Sequence, residues 1–173
     1  TTIEKAAKII EEFEGLETES YLNPVGIPTI CTGLTEYENG DPVRMGDICN
    51  ANICQAYTKE LIIKKCKLLS QGLKDIYGLS DTKIAVLGLN PHAGEGGSFG
   101  TEEIAQIKPA INDLNKEGLG IVGPISADTA FIDQNYDAYL SMYHDQALPV
   151  LKTLDFHHSV NITLGLPIHR ISV

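Results

Sequence analysis

Leu87-Gly88-Leu89-Asn90-Pro91-His92-Ala93-Gly94-Glu95-Gly96-Gly97 carries an apolar segment straight into a turn with one histidine and a cluster of glycines. Residues 84–89 form a short apolar run of the kind shown by a parallel strand covered on both faces. Asn90-Pro91 ends that run, because the residue before a proline is turned away from helix and proline itself marks a turn. Glycines at 94, 96, 97 and 100 tolerate positive φ and let a ligand approach the backbone closely. Thr101-Glu102-Glu103 then reads as the N-cap and acidic first turn of a helix. The glycines lack the G-x-G-x-x-G spacing of a dinucleotide fingerprint. His92 is therefore predicted at the carboxyl end of a strand, where open α/β sheets hold their ligands. Taken alone, a histidine beside glycines is more often an ordinary loop residue.

A second strand end changes that balance. Residues 138–142 are predicted as another apolar strand, and it runs into Tyr143-His144-Asp145-Gln146. Two histidines, each just past a strand of one sheet, can converge on a divalent metal through neutral imidazole nitrogens, with Asp145 orienting His144. Further polar residues are expected at strand ends: Lys152 after residues 148–151, Asn161 at the start of 160–165, and Arg170 after 166–169. Cations on such a rim suit an anionic substrate, since arginine holds phosphate in a bidentate fork. The competing reading is that they are solvated surface charges, as most lysines and arginines are.

With these stretches in view, residues 87–97, Gly123-Pro124-Ile125-Ser126-Ala127-Asp128-Thr129, Met142-Tyr143-His144-Asp145-Gln146 and residues 160–167 resemble the 4-hydroxythreonine-4-phosphate dehydrogenases of pyridoxal phosphate biosynthesis. The resemblance runs from about residue 61 to 173. It implies that His92 and His144 are two of three histidine ligands to a divalent metal (zinc, magnesium or cobalt). It also implies that Lys152, Asn161 and Arg170 contact a small phosphorylated substrate, and that Asp128 and Lys152 stand in the catalytic machinery. The implied reaction is oxidation of 4-phosphohydroxy-threonine by NAD followed by decarboxylation, at a site built in a homodimer. Residues 1–91 contain no histidine, so the third ligand of the family has no counterpart there.

Before residue 61 the character changes. Residues 3–13 place Ile3, Ala6, Ala7, Ile9, Ile10 and Phe13 at helical spacing, and Gly15 closes the segment. Residues 21–35 read as a hairpin region punctuated by Asn23-Pro24, Gly26 and Gly33. Phe13-Glu14-Gly15, residues 21–31 and Pro42-Val43-Arg44-Met45-Gly46-Asp47 resemble phage-type lysozymes. By that resemblance Glu14 and Thr29 are catalytic-site residues of a peptidoglycan glycosidase, while Asn23 stands where the family has an aspartate. Asparagine cannot serve as a carboxylate nucleophile or base.

The expectation is an α/β chain: a small α+β segment, residues 1–60, followed by a three-layer αβα segment with a mainly parallel sheet, residues 61–173. A helix is predicted over residues 60–77, ended by Gly78. Two functions compete, the dehydrogenase and the glycosidase, with a catalytically inactive chimera as the third reading. Hydrophobic residues make up 43% and charged residues 21%, the balance of an ordinary globular domain rather than a disordered one. The net charge of −10 disfavours nucleic acid as a partner. No apolar stretch spans a membrane and no signal peptide is evident, so a cytoplasmic protein is expected. Cys31, Cys49, Cys54 and Cys66 lack C-x-x-C spacing and are read as reduced, mostly buried thiols.

Overall fold

A computed structural model of the chain describes residues 17–22, 28–31, 42–46, 51–132, 135–166, 168 and 170–172. Glu14, Asn23 and the expected helix over residues 3–13 lie outside the described residues. Strands β1 (Glu17–Leu22) and β2 (Pro28–Cys31) form an antiparallel pair in which Thr29 stands opposite Tyr21; residues 23–27 and 32–35 of the expected hairpin region lie outside the described residues.

Helix α1 (Ala51–Tyr77) is 27 residues long and begins well ahead of the expected residue 60. Its buried stripe is Ile62, Cys66, Leu69 and Leu73, residues that recur every three or four positions on one helical face. Cys66 is buried and outside any disulfide. Gly78 ends the helix at φ +71°, donating its N–H to the Lys74 carbonyl.

Strands β3 (Lys83–Leu87), β4 (Gly120–Ile125) and β5 (Ala138–Leu140) form a parallel sheet in the order β4-β3-β5. The α/β class and parallel sheet expected from the sequence are thus present. Period-two alternation divides β3 between two apolar clusters. Ile84 and Val86 join the α1 stripe together with Ile107, Ala110, Ile111 and Leu114 from the segment that leads into and forms α2 (Lys108–Lys116). Ala85 and Leu87 face the other way, against Tyr139 and the turn residues Ala130 and Phe131. The strand is buried on both sides, which is why its sequence is continuously apolar.

The chain beyond β5 departs from the expected pattern. Residues 148–151 are not a strand: they lie inside α3 (His144–Asp155), with Pro149 in the helix interior, so Lys152 sits in the last turn of a helix. A four-residue apolar run fits either period, and here the helical one holds. Among the described residues, strands β6 (Asn161–Thr163) and β7 (Arg170–Ser172) pair only with each other, antiparallel, with Arg170 opposite Thr163 and Asn161 opposite Ser172. Arg170 therefore opens a strand rather than following one. The ribbon is anchored on α1, where Gly72 and Gly165 make room for Leu164 and Leu68 respectively.

Candidate functional site

The β3-to-β4 connection leaves to one side of β3, while β5 lies on the other, so the strand order reverses between β3 and β5. Open α/β sheets form their ligand crevice at the carboxyl ends of strands at such a reversal. His92 follows β3 and His144 follows β5, on the two sides of that crevice.

The β3 loop has an unusual backbone. His92, Ala93, Gly94, Glu95 and Gly96 all have positive φ, between 40° and 76°. Three of these residues carry side chains, and each non-glycine residue in left-handed conformation costs roughly 1–2 kcal/mol. Such a turn persists only if its surroundings hold it. Glu103 does so. It is 1% exposed, and its carboxyl accepts the Asn90 backbone N–H at 2.7 Å and the Asn90 Nδ2 at 3.0 Å. A side chain at Gly94 would come within 2.6 Å of Glu103 Oε2, so the glycine there is required by the approach of that carboxyl. Glu103 stands in the first turn of a helical segment, as expected, but Glu102 and Glu103 are both turned onto Asn90.

The strand ends are tied together at one point. Gly88 donates its N–H to the Ile125 carbonyl at the end of β4, and its own carbonyl accepts from Gln146 Nε2 at 2.6 Å. A Cβ at Gly88 would lie 2.7 Å from the Ala93 Cα, inside the loop backbone.

Asp128, in the turn after β4, brings its Oδ2 to 3.9 Å from His92 Nδ1, an ion-pair distance rather than a hydrogen bond. Its other oxygen accepts the Ser126 hydroxyl at 2.6 Å. That hydrogen bond, with the nearby His92 ring as a further contribution, holds the Asp128 carboxyl below its usual range. Asp128 is therefore ionised at neutral pH and faces an imidazole. His144 Nδ1 lies 2.7 Å from Asp145 Oδ1. That contact lets the Asp145 carboxylate orient the His144 ring.

The structure brings His92 and Asp128 together and sets His144 on the adjacent strand end. Lys152 stands just over two turns beyond His144 on α3, about 12 Å along the axis at ~1.5 Å per residue. Asn161 and Arg170 are exposed on the separate β6–β7 ribbon. Among the described residues no group of three or more His, Cys, Asp and Glu side chains is arranged to hold a metal. The imidazole pair has the donor chemistry of such a centre but does not complete one, since catalytic sites ordinarily use three protein ligands. Sequence reasoning overlooked Asn90, Glu103 and Gln146; all three lie in or beside the quoted motifs, but only tertiary contacts reveal what they hold.

The family described as pyridoxal phosphate biosynthetic protein PdxA matches residues 48–173. The chain belongs to the PdxA family. It is 48% identical over 126 residues to the 4-hydroxythreonine-4-phosphate dehydrogenase of Pseudoalteromonas translucida, covering 71% of this chain and 38% of that protein. A crystal structure of the 4-hydroxythreonine-4-phosphate dehydrogenase from Klebsiella pneumoniae superposes with a TM-score of 0.61 at 40% identity, over 65% of this chain and 35% of that one. A terephthalate 1,2-cis-dihydrodiol dehydrogenase from Burkholderia xenovorans LB400 superposes with a TM-score of 0.60 at 29% identity, over 64% and 36%. The PdxA match thus begins at residue 48, before the long helix, and the chain spans 38% of the length of the curated relative quoted. The lysozyme resemblance of the preceding residues rests on their sequence motifs alone. Among the described residues no helix is long and apolar enough to cross a membrane.

Proposed function

We propose that this chain carries the two-histidine part of a site for NAD-dependent oxidation of 4-phosphohydroxy-threonine, the reaction implied by its PdxA membership. One observation carries this reading: the loops bearing His92 and His144 flank the strand reversal, with the ionised Asp128 facing His92 at 3.9 Å. In this role the His144 ring, oriented through Asp145, and the His92 ring face the substrate's polar end. The Asp128 carboxylate, ionised and beside the His92 ring, is placed to accept a proton at the reacting hydroxyl. Lys152, Asn161 and Arg170 supply charge and hydrogen bonds for the phosphate. In the PdxA reading a divalent cation and NAD supply Lewis-acid and hydride chemistry when bound. The described residues do not complete the cation site.

Calorimetry with 4-phosphohydroxy-threonine on the intact chain tests the reading, with NADH absorbance followed in parallel. Binding is expected to weaken at least tenfold in both His92→Ala and His144→Ala, and no NADH is expected from the chain by itself. Binding that ignores both substitutions would refute the assignment. NADH production abolished by His92→Ala would show that the site is complete after all.

A further inference from the structure

Gln146 belongs to neither the imidazole pair nor the phosphate-binding set, yet it is 8% exposed and both ends of its carboxamide are used. Its Oε1 accepts the Met142 N–H at 2.7 Å, just before the turn that presents His144. Its Nε2 donates to the Gly88 carbonyl at 2.6 Å, at the root of the loop that presents His92. The Gly88 N–H meanwhile donates to Ile125, at the root of the turn that presents Asp128. A single carboxamide and the backbone N–H and carbonyl of a single residue, Gly88, thus join the roots of all three loops.

Helix capping explains only half of this. A glutamine in the first turn of a helix commonly reaches back to a backbone N–H near the helix start, and the Oε1 contact to Met142 has that form. The Nε2 contact does nothing for α3. It crosses the crevice to a strand far away in sequence, where a carbonyl at a strand end would otherwise need water or a ligand. Glutamine is suited to this position because one amide donates and accepts at once. Glutamate keeps the acceptor, loses the donor, and sets a negative oxygen against the Gly88 carbonyl.

We propose that Gln146 is a positioning residue that fixes the His92 and His144 loops relative to each other across the crevice. The proposal rests on the reading that these loops form one site. It is testable without substrate, so failure of turnover or of substrate binding leaves it standing.

The experiment is imidazole NMR on the intact chain at one fixed pH, comparing ring nitrogen shifts in the wild type, Gln146→Glu, Gln146→Ala and Leu73→Ala. Leu73 is a buried α1 residue and controls for loss of stability. Gln146→Glu is expected to move the His92 ring signals more than those of His144, because only the Gly88 arm is cut. Gln146→Ala is expected to move both, and Leu73→Ala neither. Ring signals in the Gln146 variants no more displaced than in Leu73→Ala would overturn the proposal. Should both Gln146 variants fail to fold, amide exchange in the wild type decides. The Gln146 side-chain amide protons are expected to exchange slowly because Nε2 is held on the Gly88 carbonyl, and exchange as fast as that of an exposed glutamine would overturn the bridge.

Discussion

The two histidine loops leave neighbouring strands of one sheet and are held in opposite ways. The β5 loop relaxes at once: Tyr143 is extended and His144 begins a regular helix. The β3 loop runs through five consecutive residues at positive φ, three of them strained because they carry side chains, and is kept in place by the buried carboxyl of Glu103. A helix start needs little from its surroundings, whereas the left-handed turn depends on a specific tertiary contact. Variation in the two loops should therefore have unequal and even opposite consequences.

The largest effect is expected from Glu103→Ala. It leaves the Asn90 backbone N–H without its carboxylate, leaves the Asn90 side chain to Glu102 alone, and opens a cavity, for a loss of about 3 kcal/mol in denaturant unfolding. A loss below ~1 kcal/mol would mean that the strained turn holds itself. Gly88→Ala comes next. Its methyl meets the Ala93 backbone, so a loss of roughly 2 kcal/mol is expected, with amide shifts concentrated in the β3 loop.

The opposition between the loops is read from two glycine substitutions. His92→Gly removes a left-handed side-chain residue and should stabilise by about 1 kcal/mol. His144→Gly loosens a helix start and should destabilise by ~0.5–1 kcal/mol. Equal signs in the two unfolding curves would contradict the contrast.

The smallest effect lies away from both loops. Asp113 on α2 pairs with Lys59 of α1 at 2.6 Å and with Lys116 at 2.9 Å. Its hydrogen bonds from those lysines lower its pKa to about 2 from the ordinary 3.8. Because the folded value is the lower one, this contribution is present above the ordinary value and lost as pH falls toward about 2. Asp113→Asn should flatten the acid limb of the stability profile slightly, without moving either histidine ring signal.

How much of this was legible in the sequence depended on whether a feature was local. The apolar run, Asn90-Pro91 and the glycines are local signals, and they placed β3 and its turn. Gly78 likewise marked the end of α1. Residues 148–151 were misleading because four apolar residues with a proline satisfy strand and helix alike, and only the helix that starts at His144 settles which applies. The β6–β7 ribbon was anticipated as strand ends of the main sheet, since sequence shows where a strand lies but not what it pairs with. Glu103 looked like any acid near a helix start. Its burial arises because Asn90 lies across from it, a contact between separate segments that no spacing encodes.

The proposal that both loops serve one site is open to a single measurement: imidazole NMR of the intact chain titrated with 4-phosphohydroxy-threonine. The His92 and His144 ring signals are expected to shift together, with one common midpoint, and in His92→Ala the His144 midpoint should move to at least tenfold higher substrate. Midpoints that differ between the two rings, or rings that stay unmoved at saturating substrate, would contradict a shared site.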